Sequence, residues 1–308
     1  MIGEYMSQNL INELYRIVGQ QNVKIEEPMA KHTTFRIGGP AQYMVMPQTV
    51  EELGQVLVLC KAEQVPFYIV GHGSNLLVSD KGMTGVVIVL DQNFSQLSIQ
   101  GTTVKAMAGA MLGRIGLEAR DAGLTGFEFA AGIPGTLGGA IMMNAGAYGG
   151  EMKDIVQSVQ LMDSDGNLSE RTCEEMEFSY RHSAIEGTDY VVIGATLTLQ
   201  PGDVSAITQR MEELASARRE KQPLEYPSAG STFKRPEGHF AGKLIMDAGL
   251  AGYQVGGAQV SEKHCGFVIN KGGATATDVM RLIEDVRQKV KDTFQVELEP
   301  EVRLTGDR

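Results

Sequence analysis

Between Gly126 and Gly150 the chain reads G-F-E-F-A-A-G-I-P-G-T-L-G-G-A-I-M-M-N-A-G-A-Y-G-G, with eight glycines in 25 residues. Glycine loses the most backbone entropy on folding and is costly inside ordinary helices and strands. A run this dense is expected where the backbone turns sharply or lies close against something. Ile133-Pro134-Gly135-Thr136 has tight-turn chemistry, with Pro presetting φ and Gly able to take positive φ. Gly138-Gly139-Ala140 has almost no side chain to hold a flat ligand away; the alternative is a close-packed turn between helices. A second cluster, Val70-Gly71-His72-Gly73-Ser74-Asn75-Leu76, follows the apolar run Phe67–Val70. A strand ending in G-x-G-S-N presents successive N–H groups, a nest suited to phosphate. Neither cluster is the G-x-G-x-x-G fingerprint, which disfavours a Rossmann site.

A chain of 308 residues exceeds one ordinary core and implies two or three domains. No apolar run approaches the roughly 20 residues that span a bilayer. The start, Met1-Ile2-Gly3-Glu4-Tyr5-Met6-Ser7, lacks the basic and apolar regions of a signal peptide. Cys60, Cys173 and Cys265 are odd in number and far apart, which fits a reducing cytoplasm and argues against a disulfide framework or a metal site. A net charge of −11 argues against nucleic acid or anionic membrane as partner. An anionic ligand must then be held by local bases.

The periodicity predicts an α+β chain. Ser7 to Gln20 reads as an amphipathic helix capped by Ser7, with Leu10, Ile11, Leu14, Ile17 and Val18 on one face. His32 to Pro40 is either a plain strand and turn or a ligand-contacting edge. Ala41–Met46 is a strand, and Thr49-Val50-Glu51-Glu52 has capping-box spacing ahead of a helix to Gln64. Phe67–Val70 and Val86–Leu90 complete a small α/β unit. Val104–Ala108 is a strand, Met111–Asp121 a helix stopped by Gly123, and Val156–Met162 leads to a hairpin at Asp163–Asn167. Tyr190–Leu199 is a strand, and Asp203 caps a helix to Glu220. The last third has helices at Ala241–Ala248 and Thr275–Lys291 and strands at Gly266–Asn270 and Phe294–Leu298.

Five blocks stand in order: V-G-x-G-S-N-L-L from Val70, A-G-I-P-G-x-x-G-G-A-x-x-x-N-A-G-A-Y-G from Ala131, S-Y-R-x-S from Ser179, A-G-S-x-F-K from Ala229 and L-E-P-E-V-R from Leu298. Together they resemble the UDP-N-acetylenolpyruvoylglucosamine reductase (MurB) family. The resemblance implies a two-subdomain FAD-binding module of the vanillyl-alcohol-oxidase (PCMH) type, at 1–91 and 92–202. It further implies a substrate-binding domain at 203–297 and a C-terminal segment, 298–308, returning to the active site. A short stretch, His182 to Asp189, stands where one subgroup carries an inserted tyrosine lid, so the chain resembles the subgroup without it.

The same resemblance implies non-covalent FAD, NADPH as hydride donor and UDP-N-acetylglucosamine enolpyruvate as substrate, in a cytoplasmic step of peptidoglycan precursor synthesis. No metal is implied, and a monomer or weak oligomer is expected. Gly71, His72, Gly73, Ser74, Asn75 and Leu76 would lie on the FAD pyrophosphate. Gly132, Ile133, Pro134, Gly135, Gly138 and Gly139 would pass along the cofactor, and Gly146, Ala147 and Tyr148 would close the region. Arg181 would pair with the substrate carboxylate, Ser231 would protonate C2, and Glu301 would sit by the enediolate. Lys221, Arg235 and His264 would contact the substrate. Each has a plainer reading as solvated charge, turn former or surface group. A flavin oxidase of the same fold and a non-enzymatic FAD-binding protein are the competing functions. Intact Arg181, Ser231 and Glu301 count against the latter.

Overall fold

The computed structural model describes residues 2–307, with side chains from Asn9 onward. The chain forms two compact units. The first takes the chain up to Ile25, residues 43–72 and residues 85–216; the second takes residues 26–42, 73–84 and the chain from Ala217.

In the first unit, α1 (Ile2–Val18) and α2 (Val50–Ala62) cover a four-stranded sheet ordered Val23–Pro28, Pro40–Val45, Met83–Val89, Phe67–Val70. The first helix starts before Ser7, which is therefore an interior position and not its cap. Thr49 does cap α2, its hydroxyl accepting from Glu52 N at 3.1 Å. The capping box is only half formed, because the Glu52 carboxylate accepts from Gln48 N at 2.6 Å instead of from Thr49. Leu53, Val56, Leu57 and Cys60 pack with Leu10 and Leu14 under Val86 and Ile88. Burial pushes the Cys60 thiol up to about 12, so it is an inert core residue. All three cysteines are free thiols.

The same unit carries a five-stranded antiparallel sheet ordered Leu168–Thr172, Val156–Met162, Val191–Thr198, Thr103–Met107, Leu97–Gln100. α3 (Leu112–Asp121) and α4 (Leu137–Met142) bury their apolar faces against it around Val104, Val159 and Leu197. Gly123 ends α3 with φ +68°, a conformation that favours glycine. Met162, Val191 and Ile193 join the core beneath α1 and α2, so the two sheets share side chains. The hairpin turn is fastened by Asp163, whose carboxylate accepts from Asp165 N and Asn167 N, each at 2.9 Å. α5 (Val204–Lys221) then begins at Asp203, which accepts from Ala206 N at 2.9 Å.

The second unit has an antiparallel sheet ordered Ser228–Ser231, Phe267–Asn270, Ala258–Val260, Gln254–Val255, with α6 (Ala241–Asp247) and α7 (Ala276–Phe294) packed on it. Val279, Leu282, Val286 and Val290 face Phe35, Leu77 and Phe233 in its core. The predicted strand at Phe294–Leu298 does not form. α7 runs on to Phe294 and stops at Gln295 with φ 60°; the last strand is Arg303–Thr305, paired in parallel with Leu76–Val78. Among the described residues no helix is long and apolar enough to cross a membrane. Nor does any group of three or more His, Cys, Asp or Glu among them have metal-holding geometry.

The N-terminus of α7 is unusually well satisfied. Thr275 caps it with a full capping box to Asp278. Asp80, nearly two hundred residues earlier, accepts from Ala276 N at 2.7 Å and from Thr277 N at 2.9 Å. A carboxylate there also meets the positive end of the helix dipole. Asp80→Ala is expected to lower the unfolding free energy by about 1 kcal/mol, read as a lower urea midpoint with unchanged slope.

Candidate active site

The start of the first glycine cluster, up to His72, meets the long cluster inside the first unit. Gly71 follows the strand Phe67–Val70, and a Cβ on it would lie 2.3 Å from the Thr136 hydroxyl. Only glycine allows that approach. Within the long cluster the residues divide. Gly135 is buried, and its carbonyl accepts from Leu112 N at 3.0 Å. A Cβ on Gly138 would press on the Ala108 Cβ at 3.0 Å, so this glycine serves helix packing. Ile133 packs against the core. Gly132, Pro134 and Gly139 are exposed, and a Cβ on Gly139 would meet nothing closer than 3.9 Å. The first two N–H groups of α4 are taken by the Ala110 and Ala108 carbonyls, so that helix end is not the anion site. Gly146 needs its missing side chain, since a Cβ would lie 2.8 Å from the Gly150 carbonyl. Ala147 is half-buried, and Tyr148 is exposed with φ 53°. His72 is exposed.

Arg181 belongs to the same unit and stands on a two-residue turn. Ser179 and His182 exchange backbone hydrogen bonds at 3.2 Å, and Arg181, the third residue of that turn, has φ 55°. A left-handed non-glycine residue costs roughly 1–3 kcal/mol and persists where surroundings over-determine it. The guanidinium lies 5.1 Å from the Tyr180 ring centroid, and its Nη2 donates to the Gly146 carbonyl at 3.2 Å. Arg181 is thereby tied to the closing end of the glycine cluster.

Ser231 and Glu301 come together in the second unit. Ser231 ends the edge strand Ser228–Ser231, which carries a bulge that re-aims its end. The next residues run antiparallel to the C-terminal segment: Glu301 N donates to Thr232 O and Lys234 N to Glu299 O, both at 2.8 Å. The Asn75 amide donates to Glu301 O at 3.0 Å, and Arg303 N donates to Asn75 O at 2.9 Å. So the loop Gly73-Ser74-Asn75-Leu76, Thr232 just after the Ser231 strand end, and Glu301 form one hydrogen-bonded array. Gly73 has φ +63°, and a Cβ there would lie 2.1 Å from the His32 carbonyl. The segment His32–Pro40 is thus a packed loop, and its Thr34 hydroxyl donates to Ser228 O at 2.7 Å.

The three residues expected at the substrate differ in setting. Lys221 is exposed at the end of α5. Arg235 is exposed, stacks its guanidinium over Phe240 at 4.1 Å and donates to His239 O at 3.4 Å. His264 is half-buried, edge-on to Phe267, and its Nδ1 accepts from Gly266 N at 3.2 Å. That bond places the neutral ring's proton on Nε2. Burial lowers the His264 pKa below its ordinary 6.5. The sequence reading missed Asn144 and Ser183, both fully buried polar residues beneath the Arg181 turn. Asn144 lies inside a quoted block, but its burial is not visible in one sequence.

Within the first unit the residues present suit a flat ligand: Gly139 leaves an open face beside the close approach of Gly71 to Thr136. A family model described as FAD binding domain matches residues 41–171. A grass pollen allergen with glucose dehydrogenase activity, Phl p 4, shares the fold at TM-score 0.51 and 17% identity, over 63% of this chain and 44% of that one. The chain thus carries an FAD-binding domain and shares the fold of that allergen, with a further α+β domain at its C-terminal end.

That last domain, residues 222–305, matches the model of the UDP-N-acetylenolpyruvoylglucosamine reductase C-terminal domain. A reductase of that name from Lachnoclostridium phytofermentans is 53% identical over 307 residues, 98% of this chain and 99% of its own. The crystal structure of the Thermus caldophilus enzyme superposes at TM-score 0.79 with 36% identity, covering 92% of this chain and 97% of that one. The chain belongs to the UDP-N-acetylenolpyruvoylglucosamine reductase (MurB) family.

Two outcomes follow from the packing. Gly139→Ala should stabilise the FAD-free protein by about 0.5–1 kcal/mol, the usual gain for alanine in a helix, whereas Gly138→Ala should destabilise it; paired thermal melts compare them. The unfolded chain takes up a proton on His264 near pH 6.5 while the folded protein resists it. Stability should therefore decline as pH falls through and below that value, a decline His264→Asn lessens in denaturant titrations.

Proposed function

We propose that the protein reduces the enolpyruvyl ether of UDP-N-acetylglucosamine enolpyruvate, with NADPH as hydride donor, to give UDP-N-acetylmuramic acid for peptidoglycan synthesis. The observation that carries this reading is the array joining the Ser231 strand end, Glu301 and Asn75 through backbone and amide hydrogen bonds. A hydroxyl and a carboxyl on neighbouring backbone segments, beside the Gly73–Leu76 loop, support paired proton-transfer and charge-stabilising roles. Family membership supports the rest. Division of the chain into FAD-binding subdomains 1–91 and 92–202, a substrate domain 203–297 and a closing segment 298–308 is part of the same proposal. So is a cytoplasmic enzyme without nucleic acid partner.

The chemistry needs three things of the protein. FAD, when bound, supplies two-electron hydride chemistry between NADPH and C3 of the enolpyruvyl group. Hydride addition at C3 leaves negative charge at C2, delocalised into the carboxylate as an enediolate. Arg181 would hold that carboxylate, since a guanidinium fork offers parallel donors to both oxygens. The Ser231 hydroxyl would give its proton to C2 and recover one from solvent through the site. Glu301, protonated or hydrogen-bonded, would stabilise the enediolate as charge develops. Gly71–Leu76 would hold the FAD pyrophosphate, and the exposed face at Gly132, Pro134 and Gly139 would lie along the cofactor. Lys221 and Arg235 would contact the phosphates of the uridine diphosphate part of the substrate, and His264 would make a polar contact with the substrate.

Anaerobic stopped-flow absorbance tests the reading. Flavin reduced by NADPH should be re-oxidised promptly on mixing with UDP-N-acetylglucosamine enolpyruvate, with UDP-N-acetylmuramic acid as product. Flavin that stays reduced until air is admitted would point to an oxidase instead. Ser231→Ala should keep flavin reduction by NADPH and lose about 10²–10⁴ in turnover; normal turnover in that variant removes the serine from the proton-donor role.

A further inference from the structure

We infer that Asn144, assisted by Ser183, is a positioning residue for Arg181, an inference that rests on the function just proposed. The Asn144 side chain is fully buried and its backbone has φ 42°. Three bonds use its polar groups. Its amide nitrogen donates to Ser179 O at 3.0 Å and to Glu151 Oε2 at 2.5 Å. Its carbonyl oxygen accepts from Lys153 N at 2.9 Å. Ser179 is the first residue of the turn that carries Arg181. On the other side of that turn Ser183, also fully buried, donates to Met142 O at 2.8 Å.

The turn is therefore bolted to the glycine cluster at both ends, with Arg181 Nη2 on Gly146 O between them. The arrangement explains how a half-buried, left-handed arginine is sustained in this turn. A buried amide that uses both donors and its acceptor can take only one orientation. It transmits that orientation to Ser179, and the turn geometry then fixes where the guanidinium leaves the backbone. Deleting the amide would leave the Ser179 carbonyl and Glu151 without this donor, and the turn could relax its strained residue. Asn144 never touches substrate in this scheme; it acts through Arg181 alone.

A double-mutant cycle on the holoenzyme separates this from a merely structural role. Asn144→Gly deletes the side chain while keeping the positive φ accessible. It should slow re-oxidation of reduced flavin by UDP-N-acetylglucosamine enolpyruvate about 10- to 100-fold, the scale of a small misplacement of a binding group. It should also weaken calorimetric binding of the same substrate to the oxidised enzyme. In an Arg181→Ala background the same change should cost less than about 2-fold in either measurement, because residues that act as one unit do not add. Losses that multiply in the double variant overturn the inference, as does wild-type behaviour of Asn144→Gly. Should Asn144→Gly not fold, Ser183→Ala with and without Arg181→Ala gives the same two outcomes. Failure of wild-type reduced flavin to react with the substrate would instead bring down the proposed function, and this inference with it.

Discussion

The parallel pairing of Arg303–Thr305 with Leu76–Val78 is the constraint on which the second unit's chemistry depends. A parallel pair cannot be made by a hairpin; it needs the chain to return from far away. Here it joins the end of the chain to the loop that follows the first glycine cluster. Once that register is set, Arg303 N meets Asn75 O, the Asn75 amide meets Glu301 O, and Glu301 N meets Thr232 O. Glu301 is thus held beside Thr232, the residue after Ser231, by two backbone bonds and one side-chain amide. Side-chain chemistry at that place inherits its precision from a ladder rather than from a flexible loop.

A comparable logic holds Arg181 in the first unit. Its turn is strained, and strain survives only where neighbours forbid relaxation. Buried Asn144 and Ser183 supply that restraint, and the Gly146 carbonyl fixes the guanidinium end. The glycine cluster therefore has two jobs. Some members, Gly138 and Gly146, exist because another atom already fills the space of a Cβ. Others, Gly139 above all, leave an open face. Sequence reading treats the run as one feature; the packing splits it.

Several readings were available from residue pattern alone. The 3.6-residue periodicity of α7, with Val279, Leu282, Ile283, Val286 and Val290, matched its buried face. Thr49 and Asp203 were recognisable caps because short oxygen-bearing side chains compete well for free N–H groups. The strands Phe67–Val70 and Val156–Met162 followed from apolar runs and turn residues. Two local rules failed. Ser7 looks like a cap, yet the helix continues before it. Phe294–Leu298 has strand composition, yet no neighbouring strand pairs with it in the fold, and α7 takes Phe294.

What the sequence by itself determined was the element pattern, the two glycine clusters, and five ordered blocks specific enough to fix the family. Those are local properties, set by spacing and residue type. What only the tertiary structure decided was which residues share a support: Asp80 with the start of α7, Asn75 with Glu301, and Asn144 with the Arg181 turn. Such pairings span sequence separations of 35 to 226 residues. They arise from strand register and core packing, in which every partner's position depends on the rest of the chain. A single sequence lists the donors and acceptors but not which of them are buried together, and burial is what makes Asn144 a clamp.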